Sequence, residues 1–383
     1  MTDTAIQPVK VVPAARPGSR LFTPMSLRGL TVKNRVWVAP MCQYMVEQQD
    51  GIPTPWHLVH LGARAQGGFG LILTEATAVT PDGRISPQDT GLWNDEQADA
   101  WRPIVDFVHS QNSTIGVQLA HAGRKASSYR SFPGEPQGGS VPSSEGGWST
   151  ISPTQQAFTG LDVPRMLDTA EIADLVTAFA AAAVRADDAG FDVVEIHAAH
   201  GYLIHQFLSP LSNDRSDAYG GDFDGRTKFL LEIIDAVRAV WPADKPVFVR
   251  LSATDWAPGG WDGDQTVRLS SLLRAHGVDL VDVSTGGAVI TAIPVEPGYQ
   301  VPFAARVRQE AGVASGAVGM ILSPSQAERI LTDGNADTIL LGRPALREPA
   351  WPLRAAAELG LTSSDTPYPP AHLSGRWDHQ RAS

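Results

Sequence analysis

Residues 192–221 read DVVEIHAAHGYLIHQFLSPLSNDRSDAYGG. An apolar run, Val193-Val194-Glu195-Ile196, stops at His197. Two imidazoles, His197 and His200, and a phenol, Tyr202, then fall within six residues. A buried strand that ends in titratable groups is how a parallel barrel presents an active site. The set supplies two neutral-range hydrogen-bond donors and one weak acid. That suits activation of a carbonyl or nitro oxygen together with delivery of a proton. Any one of these histidines, taken alone, reads better as a core residue bonded to backbone carbonyls. The joint pattern His-x-x-His-Gly-Tyr at a strand end favours a site. His205 stands close enough in sequence to raise a zinc reading, but no carboxylate or Cys at ligand spacing joins the three imidazoles, so no metal is expected.

Working outward, eight short apolar runs read as buried parallel strands: residues 36–41, 70–76, 115–120, 192–197, 247–251, 280–284, 317–321 and 338–342. Helical patterns separate most of them. The clearest covers 169–189, with Ile172, Leu175, Val176, Phe179, Ala183 and Val184 on one stripe. Asp168 and Glu171 form a capping-box pattern at its start, and Gly190 closes it. Further helices are expected over 225–240, 264–276 and 323–332. Strands alternating with helices predict a (β/α)8 barrel. A doubly wound sheet is second, because its Gly-x-Gly-x-x-Gly turn after the first strand is missing.

A barrel gathers its catalytic groups where strands end. The first expected strand runs into Ala39-Pro40-Met41-Cys42-Gln43-Tyr44, and the second into Glu75-Ala76-Thr77. The third carries Gln118 and is followed by His121-Ala122-Gly123-Arg124-Lys125. The fifth carries Arg250, and the sixth ends in Ser284-Thr285-Gly286-Gly287. Near the last two strands, Gly319 and Gly342 let backbone N–H groups approach an anion, and Arg343 adds a planar charged fork. That is where barrels hold phosphate.

Composition narrows the class. The chain has 383 residues, 43% hydrophobic and 19% charged, as in a globular protein. A net charge of −11 argues against general affinity for nucleic acid or anionic membrane. One Cys excludes an internal disulfide framework and an iron–sulfur cluster. No apolar run reaches membrane-span length, and residues 1–20 lack the apolar core of a signal peptide, so a cytoplasmic location is expected. Those first 20 residues read as a flexible tail, residues 21–360 as the barrel, and residues 361–383 as a C-terminal tail. Residues 131–163 are rich in Pro, Gly and Ser and read as a loop insertion after the third strand. It is either a solvated insertion or a flap over the site, with Trp148 or Phe158 as lid contacts.

These blocks together resemble the Old Yellow Enzyme family of flavin-dependent ene-reductases, in particular its thermophilic-like, xenobiotic-reductase-like bacterial subclass. The resemblance runs from Leu21-Phe22-Thr23-Pro24 to Gly375-Arg376-Trp377 and includes Lys33-Asn34-Arg35. Cys42 with Tyr44 two residues later marks the subclass. The resemblance implies non-covalent FMN over the barrel mouth. Ala39, Pro40, Met41, Cys42 and Ala76 would line its ring. Gln118 and Arg250 would bond its pyrimidine end, and Gly319, Gly342 and Arg343 would hold its phosphate. His197 and His200 would bind the activating oxygen of a substrate, Tyr202 would give a proton to carbon, Tyr44 would contact substrate, and Cys42 would tune the flavin. Arg376 and Trp377 resemble a segment that reaches into a neighbouring subunit's site, which implies a homodimer or homotetramer.

The implied reaction is two-step: NADPH or NADH reduces FMN, and an activated alkene (an α,β-unsaturated carbonyl or nitro compound) receives hydride at its β-carbon. Three rival readings stand against it. A multidomain dienoyl-CoA reductase-like enzyme needs a Cys-rich segment that one Cys rules out. A metal-dependent barrel hydrolase wants a His-x-His on the first strand, which is absent. A non-catalytic flavin-binding protein is disfavoured by the full set of strand-end groups.

Overall fold

The computed structural model describes residues 18–363, 366 and 368–377. Eight parallel strands close into a barrel. In chain order they are β1 (Val36–Val38), β2 (Leu71–Ala78), β3 (Thr114–Ala120), β4 (Val193–Ala198), β5 (Val247–Ser252), β6 (Leu280–Ser284), β7 (Ala314–Ala317) and β8 (Thr338–Leu341). β8 pairs with β1, Leu341 opposite Val38, and shuts the ring.

Side chains alternate between two cores because successive strand residues face opposite ways. Leu71 and Leu73 pack inside the barrel and Ile72 packs outward against the helices. Val193 and Phe248 likewise point in, while Val194, Ile196, Val247 and Val249 point out. By the same alternation Glu195 and His197 share the inner face with Val193. Arg250 and Ser252 share it with Phe248, and Asp282 and Ser284 with Leu280. The apolar inner residues lie toward the strand starts and the polar ones toward the strand ends. An antiparallel hairpin, Met25–Leu27 with Leu30–Val32, packs Met25, Leu27 and Val32 onto that apolar end and seals it. Trp37 and Phe248 stack there at 5.8 Å. Each fully buried side chain of this size contributes about 1.5–3 kcal/mol.

The helix expectations hold to within two residues. Thr169–Asp188 begins with the expected reciprocal cap: Glu171 N donates to Asp168 Oδ1, and Asp168 N to Glu171 Oε2, each at 2.9 Å. Phe223–Val240 starts two residues early because Asp222, not a residue nearer Gly225, caps it. Gly263–Ala275 and Pro324–Thr332 occupy the other two positions.

Two strand expectations are corrected. β1 stops at Val38 instead of residue 41: Ala39 N still donates to Leu341 O at 3.1 Å, but Pro40 has no N–H to continue. β7 is Ala314–Ala317, three residues before the apolar run 317–321. Its sequence, Ala-Ser-Gly-Ala, is almost without side chains. A Cβ on Gly316 would lie 2.4 Å from Leu340 Cδ1, so the tight seam with β8 requires the small residues. The apolar run instead forms the turn past the strand, with Gly319 and Met320 at φ +107° and +50°.

Of the expected N-terminal tail, residues 1–17 lie outside the described residues. Ser19 and Arg20 are fixed: Ser19 Oγ, Arg20 N and Leu21 N all donate to the Glu328 carboxylate. Residues 131–163 hold only a short 3-10 turn, Ser143–Glu145, and the two-residue strand Ile151–Ser152 paired with Arg165–Met166. At the C-terminal end, Pro370–Gly375 is a 3-10 turn. Among the described residues no helix is long and apolar enough to cross a membrane.

Candidate active site

The polar strand ends converge. His197 is the penultimate residue of β4, and the chain then turns sharply through His200, a non-glycine residue at φ +58°. Such backbone is costly and is kept where surrounding contacts over-determine it. Here they do. His200 N donates to Ser252 Oγ at 2.9 Å, and His200 Nε2 is 2.7 Å from Ser284 Oγ. Gly201 N donates to His205 Nδ1 at 2.8 Å, and His205 Nε2 is paired with the fully buried Asp255 at 3.0 Å. His205 is therefore a brace for the turn. The rings of His200 and Tyr202 meet that of His197 edge-on at 5.2 and 5.0 Å.

The turn needs glycine on both sides of a close backbone approach. A Cβ on Gly201 would sit 2.0 Å from Gly287 O, and one on Gly287 (φ +98°) 2.5 Å from His200 Cα. Gly287→Ala is therefore expected to destabilise the fold by ~2 kcal/mol or more and to displace His200. Thermal melts and titration with a phenol ligand check both effects.

Burial, and next the charge of Arg250, push His197 and His200 well below the usual imidazole range, so both are neutral at pH 7. His197 Nδ1 accepts Ala199 N–H at 3.3 Å, which leaves its proton on Nε2. Burial pushes the phenols of Tyr202 and Tyr44 up, with Cys42 the next contributor for each, so both stay protonated. Lys125 donates to His200 O at 2.8 Å and lies 4.9 Å from the Tyr202 ring and 4.7 Å from that of Phe158. Burial lowers it to about 8.

The loop after β1 forms one wall. Cys42 and Tyr44 pack with Tyr202 and Trp148 on a small apolar floor of Ala76, Ile85, Ala120, Ala122 and Ala126. Tyr44 is at φ +54°. Glu75, within β2, accepts Gln43 N–H at 2.8 Å and pairs with buried His57 at 2.9 Å, which fixes this loop. Cys42 is half-buried and free. Burial, then the charges of Asp89 and Glu75, raise its thiol well above the ordinary range.

Below the mouth lies a layer of buried polar groups. Gln118 Nε2 donates to Glu195 Oε1 at 2.8 Å, and Arg250 Nε pairs with Asp282 at 2.9 Å. Beyond β7 and β8, residues 318–322, 340–344 and Arg347 line a cavity of about 290 Å³. Arg343 sits at its rim and, among the described residues, meets only the Met320 thioether, at 3.4 Å, and no carboxylate.

Nearly all the expected site residues lie at this end of the barrel: Ala39, Pro40, Met41, Cys42, Tyr44, Ala76, Gln118, His197, His200, Tyr202 and Arg250 at the mouth and in the layer below it, and Gly319, Gly342 and Arg343 at the cavity beyond β7 and β8. Arg376 and Trp377 lie apart, after the C-terminal 3-10 turn, with Trp377 exposed. Trp148 packs in that wall, and the Phe158 ring lies against Arg124 and Lys125. Trp148 Nε1 donates to Asp82 O at 2.9 Å, and Arg84 stacks on its ring at 4.8 Å. Four site groups had no assigned role in the sequence: Lys125, Ser252, Ser284 and Gln300, which accepts from Thr285 Oγ1 at 2.7 Å. The first three stand at or just past strand ends, a signal that could have found them. Gln300 lies far along the β6–β7 connection and carries none.

A model of the NADH:flavin oxidoreductase / NADH oxidase family matches residues 20–362. An NADPH dehydrogenase of Geobacillus sp. (strain WCH70) is 47% identical over 345 residues, which cover 90% of this chain and 96% of that protein. One from Listeria monocytogenes serotype 4b (strain F2365) is 49% identical with the same coverage. Among solved structures, morphinone reductase superposes with a TM-score of 0.73 at 28% identity, covering 91% of this chain and 93% of that one. An Old Yellow Enzyme homologue from Zymomonas mobilis gives 0.73 and 28%, covering 91% and 99%.

Proposed function

The chain belongs to the NADH:flavin oxidoreductase / NADH oxidase family and is an NAD(P)H-dependent FMN oxidoreductase; from that premise we propose that it is an ene-reductase acting on activated alkenes. The observation that carries the reading is the His197–His200–Tyr202 cluster: two neutral imidazoles and a protonated phenol, rings in contact, at the one open end of the barrel.

The residues fit FMN. Gln118 Oε1 has no partner within the described residues, and Arg250 on β5 brings guanidinium N–H donors to the same end of the barrel, so the two suit an edge with both N–H and carbonyl groups. Arg343 and the glycine-bordered cavity suit a phosphate. The small residues Ala39, Pro40 and Ala76, with Met41 and Cys42, leave room for a flat ring. When bound, FMN supplies the hydride chemistry.

The chain's own groups do the rest. His197, through Nε2–H, and His200 hold the substrate's activating oxygen and stabilise the charge that grows on it. Tyr202 gives its proton to the α-carbon. Lys125, 4.9 Å from the ring, stabilises the phenolate left behind. Tyr44 contacts the substrate. The C-terminal turn with Arg376 and Trp377 docks on a neighbouring protomer of a homodimer or homotetramer. Truncation after Ser374 should raise KM for enones while FMN stays bound. Unaltered kinetics would remove that docking.

The functional test is spectroscopic. The purified protein should be yellow, bleach with NADPH and recolour with cyclohexenone. A flavin that bleaches but is not reoxidised by any enone or nitroalkene overturns the substrate class. Cys42 is assigned to tuning the flavin, not to covalent catalysis, because a thiol with a raised pKa is a poor nucleophile. Cys42→Ala should keep turnover, and iodoacetamide at pH 8 should leave native Cys42 unalkylated. Loss of all activity with FMN still bound contradicts the assignment.

A further inference from the structure

Tyr44 stands in the left-handed region at φ +54°, backbone that a bulky side chain adopts only under constraint. Residues 130–135, where the Pro-, Gly- and Ser-rich insertion begins, supply a constraint from outside its own loop. Phe132-Pro133-Gly134-Glu135 is a tight turn, closed by Glu135 N donating to Phe132 O at 3.0 Å. Proline stands second in it and glycine third, at φ +90°, which is the type II pattern. The turn brings Glu135 back onto Arg130. The Glu135 carboxylate accepts from Arg130 Nε at 2.9 Å and from Nη2 at 2.7 Å.

With those two arms of the fork held, Nη1 donates to Tyr44 O at 2.8 Å and to Glu47 Oε1 at 2.7 Å. The guanidinium also lies 4.7 Å from the centre of the Phe132 ring, and that ring meets Tyr44 edge-on at 6.3 Å. One short segment of another loop thus grips Tyr44 twice, at its carbonyl and at its ring. The direction of each bond is settled, because a guanidinium only donates and stays charged. Magnitudes rank the contacts. Glu47 is 58% exposed, and an ion pair in water contributes little. Arg130 is only 12% exposed, so its bonds to Glu135 and to the Tyr44 carbonyl carry the grip.

We propose that Arg130 is a positioning residue for the substrate site. It holds Tyr44 from behind, in the wall that Tyr44 shares with Cys42, Trp148 and Tyr202. The first turn of the insertion is then a buttress for that wall, and the insertion acts on substrate binding through it.

This inference rests on Tyr44 contacting substrate. The experiment is a double-mutant cycle. Arg130→Met removes every donor and keeps the length of the side chain. It should raise KM for cyclohexenone, and Kd for p-hydroxybenzaldehyde, by about tenfold, the scale of one lost hydrogen bond to a charged group. Turnover should stay within about twofold, as when binding common to ground and transition states is lost. In a Tyr44→Ala background the same substitution should leave both constants where Tyr44→Ala put them, because Arg130 then has no ring to place. A merely structural role gives the same rise in both backgrounds. Glu135→Ala frees two arms of the fork from a half-buried loop position. It should shift KM in the same direction, again only where Tyr44 is present, and it carries the cycle if Arg130→Met does not fold. Equal effects with and without the Tyr44 ring, or no effect of either variant on KM, overturn the role of Arg130. Unchanged KM and ligand affinity in Tyr44→Ala alone overturn the placement of Tyr44 in the substrate site, and with it the reading on which this inference rests.

Discussion

Replacing His197 or His200 by Ala is expected to slow alkene reduction by about 10²–10³, the usual consequence of removing one donor from a developing oxyanion. Both rings are buried beside the Arg250 charge and are neutral at pH 7, so what each offers is an oriented N–H. His197 has its proton fixed on Nε2 by the Ala199 amide. His200 is held from both sides by Ser252 and Ser284. Donors held in place cost no reorganisation as the charge forms. Flavin reoxidation by an enone in stopped flow reads the rate. Titration of p-hydroxybenzaldehyde into the oxidised enzyme reads the oxyanion site at equilibrium, and unchanged affinity in both variants would sink the assignment. The lowered imidazole pKa values add a sign. These groups charge only well below pH 6.5, so the oxidative half-reaction should show no inflection between pH 6 and 8 from either histidine.

Tyr202→Phe should slow the same half-reaction by about 10²–10⁴, the span of general acid catalysis, and leave flavin reduction by NADPH nearly unaffected. Burial keeps the phenol protonated through the working pH range. Its ring touches that of His197 at 5.0 Å, so an oxygen held by the imidazoles lies within reach of the same turn that presents the acid. The two half-reactions separate the role from general damage. Equal slowing of both in single-turnover traces would show a displaced flavin site instead of a lost proton donor.

The site was legible because its chemistry is written at strand ends. An apolar run that stops at His197, Gln118 or Arg250 leaves a polar group at the mouth whatever the helices outside do. β7 is hard to read in the sequence for the converse reason. Its strand is made of Ala, Ser and Gly so that β8 can approach, and the apolar run that reads as a strand lies in the turn beyond it. The partners of the site residues were harder to read. His205 carries no assigned role in the sequence and is a brace on Asp255, a contact across 50 residues that spacing does not encode. Lys125 and Gln300 act through backbone carbonyls and hydroxyls brought in by other loops, and neither leaves a periodic trace.

The seam between β1 and β8 also governs how the molecule is made. Leu341 pairs with Val38, and the Glu328 carboxylate gathers Ser19, Arg20 and Leu21, partners 307 to 309 positions away along the chain. None of these bonds can form until almost the whole polypeptide has left the ribosome. Until then the first strand has no neighbour on one side, and its free edge can pair with another chain. Closing so long a loop is slow, and the contacts that repay it come last. Refolding from denaturant should therefore pass through an open, edge-exposed species whose yield falls as protein concentration rises. Nascent chains ending before residue 338 should be aggregation-prone and lack the closed mouth, however well their individual βα units have formed.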